Sequence, residues 1–155
     1  MPIRRRGAIL LIEDNPQDEE LTLRALEQHQ ITSDIFVTRD GKEALDYIFA
    51  QGLYGARDPH ELPTLVLLDL KLPKIDGIEV LRRLRAHERT KLLPVVILTS
   101  SVEDRDRLAG YGNGANSFVR KPVDYIEFSE AVRQLGLYWL VVNEPPPATG
   151  VPQSS

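Results

Sequence analysis

The 155-residue chain has no cysteine, a single methionine, a single tryptophan and only 6% aromatic residues. Without cysteine there is neither a disulfide framework nor a thiolate zinc site, a composition suited to a reducing cytoplasm. No apolar run approaches the roughly 20 residues that a membrane-spanning helix requires. Arg4-Arg5-Arg6 followed by Gly7-Ala8-Ile9-Leu10-Leu11-Ile12 has the outline of a secretory leader, but Glu13 and Asp14 interrupt its apolar stretch at once. Positive charge is not in surplus either: 19 Lys and Arg stand against 23 Asp and Glu, for a net charge of -4. A nucleic-acid binder shows the opposite balance, and no Walker pattern marks a nucleotide-phosphate loop. The expectation is a soluble cytoplasmic protein with neither membrane nor nucleic acid as partner.

What is present is one domain's worth of alternating apolar runs and helical patterns. Residues 8–12 read as a buried strand that ends on Glu13-Asp14. Asn15-Pro16 then opens a helix, as N-cap and first helical residue, running to about Gln30 with Leu21, Ala25 and Leu26 inward. A short second strand covers 35–38. Asp40 and Glu43 have the spacing of a capping box before a helix through Leu45, Ile48 and Phe49. Residues 52–63 show no periodicity and read as a loop.

The run Leu65-Val66-Leu67-Leu68-Asp69 is too short for a helix and reads as a buried strand ending on a carboxylate. Asp76 with Glu79 caps the next helix, carrying Ile78, Leu81 and Leu84. A fourth strand over 94–98 runs into Thr99-Ser100-Ser101. Ser101 with Asp104 then caps a polar helix that Gly110, Gly112 and Gly114 break, with Tyr111 and the glycines forming a flexible connector. A fifth strand over 117–119 ends in Arg120-Lys121-Pro122, and Asp124 with Glu127 caps a last helix to about Val142. The three histidines, His29, His60 and His87, fall on helix ends or loops.

Five strands alternating with five helices predict an α/β fold, a doubly wound parallel sheet with the flavodoxin-like order 2-1-3-4-5. Residues 1–143 form the domain and 144–155 a Pro-rich tail. In that order strand one lies beside strand three at the switch point, where ligands bind beyond the carboxyl ends of the strands. The strand ends supply Glu13, Asp14, Asp69, Thr99 and Lys121. Such close carboxylates repel one another and push some pKa values up, a conflict that a hard divalent cation relieves. An all-oxygen donor set favours Mg²⁺. Asp69 is then placed as a nucleophile toward a phosphoryl group, with Thr99 and Lys121 as partners for its oxygens.

On these residues, 9–142 resemble a receiver domain of a two-component response regulator. The resemblance implies Asp69 as phosphoacceptor, Asp14 and Asp69 as side-chain Mg²⁺ ligands, Glu13 reaching the ion through water, and the Lys71 carbonyl completing the set. Glu13 replaces the commoner Asp. It also implies Thr99 and Phe118 as a switch pair, outward in the unphosphorylated state and inward afterwards, a cis Lys121-Pro122 peptide, and Lys71 and Ser101 as positions that tune phosphate lifetime. Catalysis would be confined to the domain's own phosphotransfer and dephosphorylation.

The last helix is apolar almost all round over Leu135, Leu137, Tyr138, Trp139, Leu140, Val141 and Val142, which marks either a cap on the core or a homodimer interface through Tyr138, Trp139, Leu140 and Val141. This end, with 52–63, is similar to phytochrome-associated single-domain response regulators. That likeness implies a bilin-bearing sensor histidine kinase as donor, and output through protein contacts such as a phosphotransfer protein, since too few residues follow for a DNA-binding domain. Three rivals remain. A Mg²⁺-dependent aspartyl-nucleophile phosphohydrolase would need Asp where Lys71 stands. A flavodoxin-like electron carrier would need a phosphate loop where Glu13-Asp14 stands. The third is a binding module with a dead acceptor site.

Overall fold

A computed structural model describes residues 8–29, 34–100, 103–121 and 124–144. The strands are β1 (Ala8–Ile12), β2 (Asp34–Thr38), β3 (Leu65–Leu68), β4 (Val95–Thr99) and β5 (Ser117–Arg120). The helices are α1 (Pro16–Gln28), α2 (Gly41–Phe49), α3 (Gly77–Ala86), α4 (Asp104–Gly112) and α5 (Tyr125–Leu137). The sheet is five-stranded and parallel, in the order β2-β1-β3-β4-β5, as the alternation of elements predicts.

The order explains which helix covers which face. Right-handed crossovers put the β1-to-β2 helix on one face and helices of the reverse direction on the other. Accordingly Ile9, Leu11, Leu65, Leu67, Val96 and Leu98 point into one cluster with Ala25 and Leu26 of α1 and Phe128 and Val132 of α5. Their alternate neighbours Leu10, Ile12, Val66, Leu68, Val95 and Ile97 pack with Ala44 and Ile48 of α2 and Leu81 and Leu84 of α3. The central strands are apolar at every position because both faces are covered.

Local chemistry sets the helix starts. Asn15 Oδ1 accepts from the backbone N–H of Gln17 and Asp18, with Pro16 at the first helical position. Asp40 accepts from the Glu43 N–H, Asp76 from that of Glu79, and Asp124 from those of Ile126 and Glu127, each satisfying a donor the helix leaves open.

Three local expectations need correction. Helix α4 runs through Gly110 to Gly112, because Gly110 lies flat against Ile97 and Phe118 where a Cβ would sit 2.6 Å from Ile97 Cδ1. The turn falls at Gly114, with φ +95°, in a connector held by Arg85, which donates to the Gly114 carbonyl. Glu103 stands at the N-cap of α4, and Ser101 lies outside the described residues. The 52–63 segment contains a 3-10 turn, Gly52–Tyr54, and Arg57 ties it down: the guanidinium sits 3.8 Å over the Tyr47 ring and donates to the Tyr47 and Glu61 carbonyls.

The loop from β3 to α3 is clamped by two glycines. Gly77 N–H donates to the Leu70 carbonyl at 2.8 Å, and Gly41 N–H to that of Pro73 at 3.3 Å. A Cβ on Gly77 would lie 2.3 Å from the Asp69 carbonyl oxygen. Since that neighbour is backbone, Gly77→Ala should lower stability by about 1–3 kcal/mol, the usual cost of overpacking. Urea unfolding at fixed pH measures this, and an unchanged midpoint would refute the close-packed loop.

Candidate functional site

Strand register brings the acidic residues together. Ile12 pairs with Leu68 across β1 and β3, so the next residues, Glu13 and Asp69, stand side by side at the carboxyl edge. The Asp69 N–H donates to the Ile12 carbonyl at 3.1 Å and the Glu13 N–H to that of Thr38 at 3.0 Å, which fixes both backbones. Asp14, one residue on, is exposed. One oxygen from each of Glu13, Asp14 and Asp69 falls within a group no more than 4.8 Å across. Three carboxylates and no nitrogen or sulfur make a hard donor set of the kind Mg²⁺ takes.

The positive partner comes from the far side of the sheet. Lys121 follows β5, its N–H donating to the Thr99 carbonyl at 2.7 Å. Its ammonium donates to Asp69 Oδ2 at 3.1 Å, to Asp18 Oδ2 at 3.0 Å and to Glu13 Oε1. With only 6% of the side chain exposed, the charge sits in a weakly solvated crevice. The other Asp69 oxygen, Oδ1, accepts the Thr99 hydroxyl at 2.9 Å and faces the Lys71 N–H at 3.4 Å. Both oxygens of the Asp69 carboxylate are therefore engaged.

These contacts divide the carboxyls. Burial pushes Glu13 up to about 7, against the opposing pull of its hydrogen bond with Lys121. For Asp69 burial acts in the same sense, yet the Lys121 charge and the hydrogen bonds around it prevail and hold it below the usual carboxylate range. Repulsion among the acids, the cause expected from sequence, is secondary to burial at Glu13. Lys121 is raised: burial opposes its charge, and its carboxylate partners outweigh that.

One expectation fails here. Thr99 does not point outward: it is buried and already hydrogen-bonded to Asp69. Phe118 is half-buried, packed against the core beside Gly110 and 6.5 Å from the Tyr111 ring centroid. The cis peptide expected at Lys121-Pro122 involves Pro122, outside the described residues. Asp18 was missed in the sequence. Its signal was there, since the cap at Asn15 places it in the first turn of α1 above the strand ends, but only the fold shows that Lys121 reaches it.

At the other end of the domain, Tyr138–Val142 widens into a π-type turn, with the Asn143 N–H donating to the Tyr138 carbonyl at 2.7 Å. Trp139 and Leu140 pack partly against the α1/α5 side of the core, whereas Tyr138 and Val142 are 50% and 64% exposed. The last helix therefore caps the core with part of its apolar surface. The Val141 side chain lies outside the described set.

An aspartate just after the third strand, an acidic pair after the first, a hydroxyl at the end of the fourth and a lysine after the fifth define a class. Residues 9–133 match the response regulator receiver domain, and the chain belongs to that family. It is 43% identical over 139 residues to the probable methanogenesis regulatory protein FilR2 of Methanothrix harundinacea, covering 89% of this chain and 86% of the relative. It is 34% identical over 132 residues to response regulator Rcp1 of Synechocystis sp., covering 85% and 88%. Among solved structures, the Mn²⁺-bound form of Rcp1 matches with TM-score 0.83 and 33% identity over 91% of this chain and 99% of that one. The bacteriophytochrome response regulator AtBRR matches with TM-score 0.72 and 48% identity over 91% and 100%.

The Glu13 carboxyl gives a pH signature. In the ion-free folded protein it keeps its proton to about pH 7, while an unfolded Glu loses it near its ordinary 4.5. The folded state thus binds more protons in this window, so stability falls as pH rises through it and levels off above. The depressed Asp69 works oppositely, but its contribution is lost only at more acidic pH. Urea unfolding without divalent ions should show a decline on the order of 2 kcal/mol from pH 5 to 7, and Glu13→Gln should flatten it. A wild-type profile flat over that range would contradict the assignment.

Proposed function

We propose that the chain is a single-domain response regulator that accepts a phosphoryl group on Asp69 from the phosphohistidine of a sensor histidine kinase. The observation that carries this reading is the coordination of Asp69 itself. Its two oxygens are met by the Thr99 hydroxyl and the Lys121 ammonium, and Glu13 and Asp14 converge beside it. In the transfer an Asp69 oxygen forms the new O–P bond as the donor's P–N bond breaks, and the imidazole leaves with the electron pair. Lys121 and Thr99 then donate to phosphoryl oxygens instead of the carboxylate, stabilising charge that moves outward during the reaction. Glu13, Asp14, Asp69 and the Lys71 carbonyl would hold Mg²⁺, whose charge offsets that of the phosphoryl oxygens. Dephosphorylation by water at the same site returns the domain to its starting state.

The switch works by tightening. Thr99 is inward already, so phosphorylation exchanges one carboxylate acceptor for a more strongly charged one and holds Phe118 on the α4 side of β5. A differential of about 1–3 kcal/mol suffices to shift such an equilibrium. Output passes to another protein, such as a phosphotransfer protein.

The donor is a phytochrome-type kinase, a reading supported by the likeness to the bacteriophytochrome response regulator AtBRR and by the extension of α5 through Val142. Two copies pair through the exposed part of that extension, with Tyr138 at its edge beside Trp139, Leu140 and Val141. The rival phosphohydrolase is disfavoured because the residue two past Asp69 is Lys71, which cannot serve as its carboxylic acid/base.

Incubation with Mg²⁺ and acetyl phosphate, or with an autophosphorylated bacteriophytochrome, should label the wild type once per chain and leave Asp69→Asn unlabelled. Absence of label from every donor would end the reading, and sustained turnover of a chromogenic phosphomonoester would favour the phosphohydrolase. Sedimentation should show a dimer that Tyr138→Ser with Val142→Ser dissociates. An unchanged mass would exclude this face.

A further inference from the structure

We propose that Asp18 is a positioning residue for phosphoryl transfer, anchoring Lys121 over the acceptor when its other carboxylate partners are drawn to a cation. This rests on the phosphoacceptor reading above and adds a residue to it. A lysine ammonium has three donors, and here each has a carboxylate: Glu13, Asp18 and Asp69. Two of those three belong to the group of oxygens suited to a divalent ion, and Asp18 does not. When an ion takes up Glu13 and Asp69, Asp18 is the partner Lys121 keeps. A flexible four-carbon stem that lost all its partners would be free to leave the crevice for water.

Asp18 is fixed for this task. Its N–H donates to the Asn15 cap at 3.1 Å, and its carbonyl accepts the Thr22 hydroxyl at 2.8 Å. The cap is tied to the acidic pair in turn, because the Asn15 N–H donates to Glu13 Oε2 at 3.2 Å. The first turn of α1 is thus braced from both sides while Asp18 reaches across to the residue after β5. An acid in a first helical turn also stabilises the helix dipole. The neighbouring Glu19 does so as well, but it pairs with Arg39, away from the crevice, and serves as control.

The test uses Asp18→Ala, Asp18→Glu and Glu19→Gln in the full chain. Phosphorylation by acetyl phosphate at saturating Mg²⁺ should slow roughly tenfold in Asp18→Ala, the loss expected for one charge-assisted hydrogen bond. Asp18→Glu should recover part of it and Glu19→Gln should match wild type. Calorimetric Mg²⁺ affinity should not weaken in Asp18→Ala, since Asp18 is not an ion ligand. Independently of any phosphorylation, the Lys121 Nζ proton resonance, slowed in exchange by its partners, should be seen in wild type with Mg²⁺ and lost in Asp18→Ala. Wild-type labelling with an equally fast Asp18→Ala, or a Lys121 resonance unaffected by that substitution, would overturn the inference. A wild type that takes no label would instead sink the acceptor reading, leaving the Lys121 resonance to decide the role of Asp18.

Discussion

One buried ammonium holds the site together. Lys121 neutralises carboxyls that register forces into a crevice with little water, where uncompensated charge is costly. Without it, the negative side chains at the ends of β1 and β3 would resist the very packing that the two apolar clusters drive. The same lysine partitions the acids. Asp69 stays ionised beside it, while Glu13, the most buried of the set, keeps a proton nearer neutrality.

The sheet turns that electrostatic arrangement into a fixed geometry. Because β1 and β3 run parallel in register at the switch point, a residue just past each strand lands beside the other. Both strands are buried on both faces, so neither can slip by a residue without exchanging its two apolar sets. Around this centre the loops are made rigid by different means. Close approach at Gly41 and Gly77 clamps the segment that follows Asp69, and the Asn15 cap braces the one that follows Asp14. Arg85 ties the connector before β5, through Gly114 and Asn116, to the Thr90 carbonyl ahead of β4, steadying the strand that carries Phe118 and leads to Lys121.

Most of the fold was legible because it depends on local pattern. The apolar runs of β1, β3 and β4, and the Asn15, Asp40, Asp76 and Asp124 caps, state their roles within a few residues. Where the reading failed, the deciding contact came from a distant part of the chain. Gly110 reads as a helix breaker until Ile97 and Phe118 are seen to need its missing side chain. The 52–63 segment reads as featureless until Arg57 is placed over Tyr47. Trp139 and Leu140 look surplus to one buried face, yet a π-type turn keeps them against α1 and α5 while Tyr138 and Val142 remain outside.

The sequence by itself determined the doubly wound fold, its strand order and the strand-end positions of Asp69, Glu13, Asp14, Thr99 and Lys121, since strand-end residues follow from periodicity and a parallel sheet gathers them at one edge. Only tertiary structure decided how those side chains are joined. Thr99 lies inward on Asp69, Lys121 spreads over three acids, and Asp18 enters the site from the first turn of α1. The reason is that a side chain's partner depends on reach and burial across elements about 100 residues apart in sequence, as Lys121 and Asp18 are, and no local pattern encodes that.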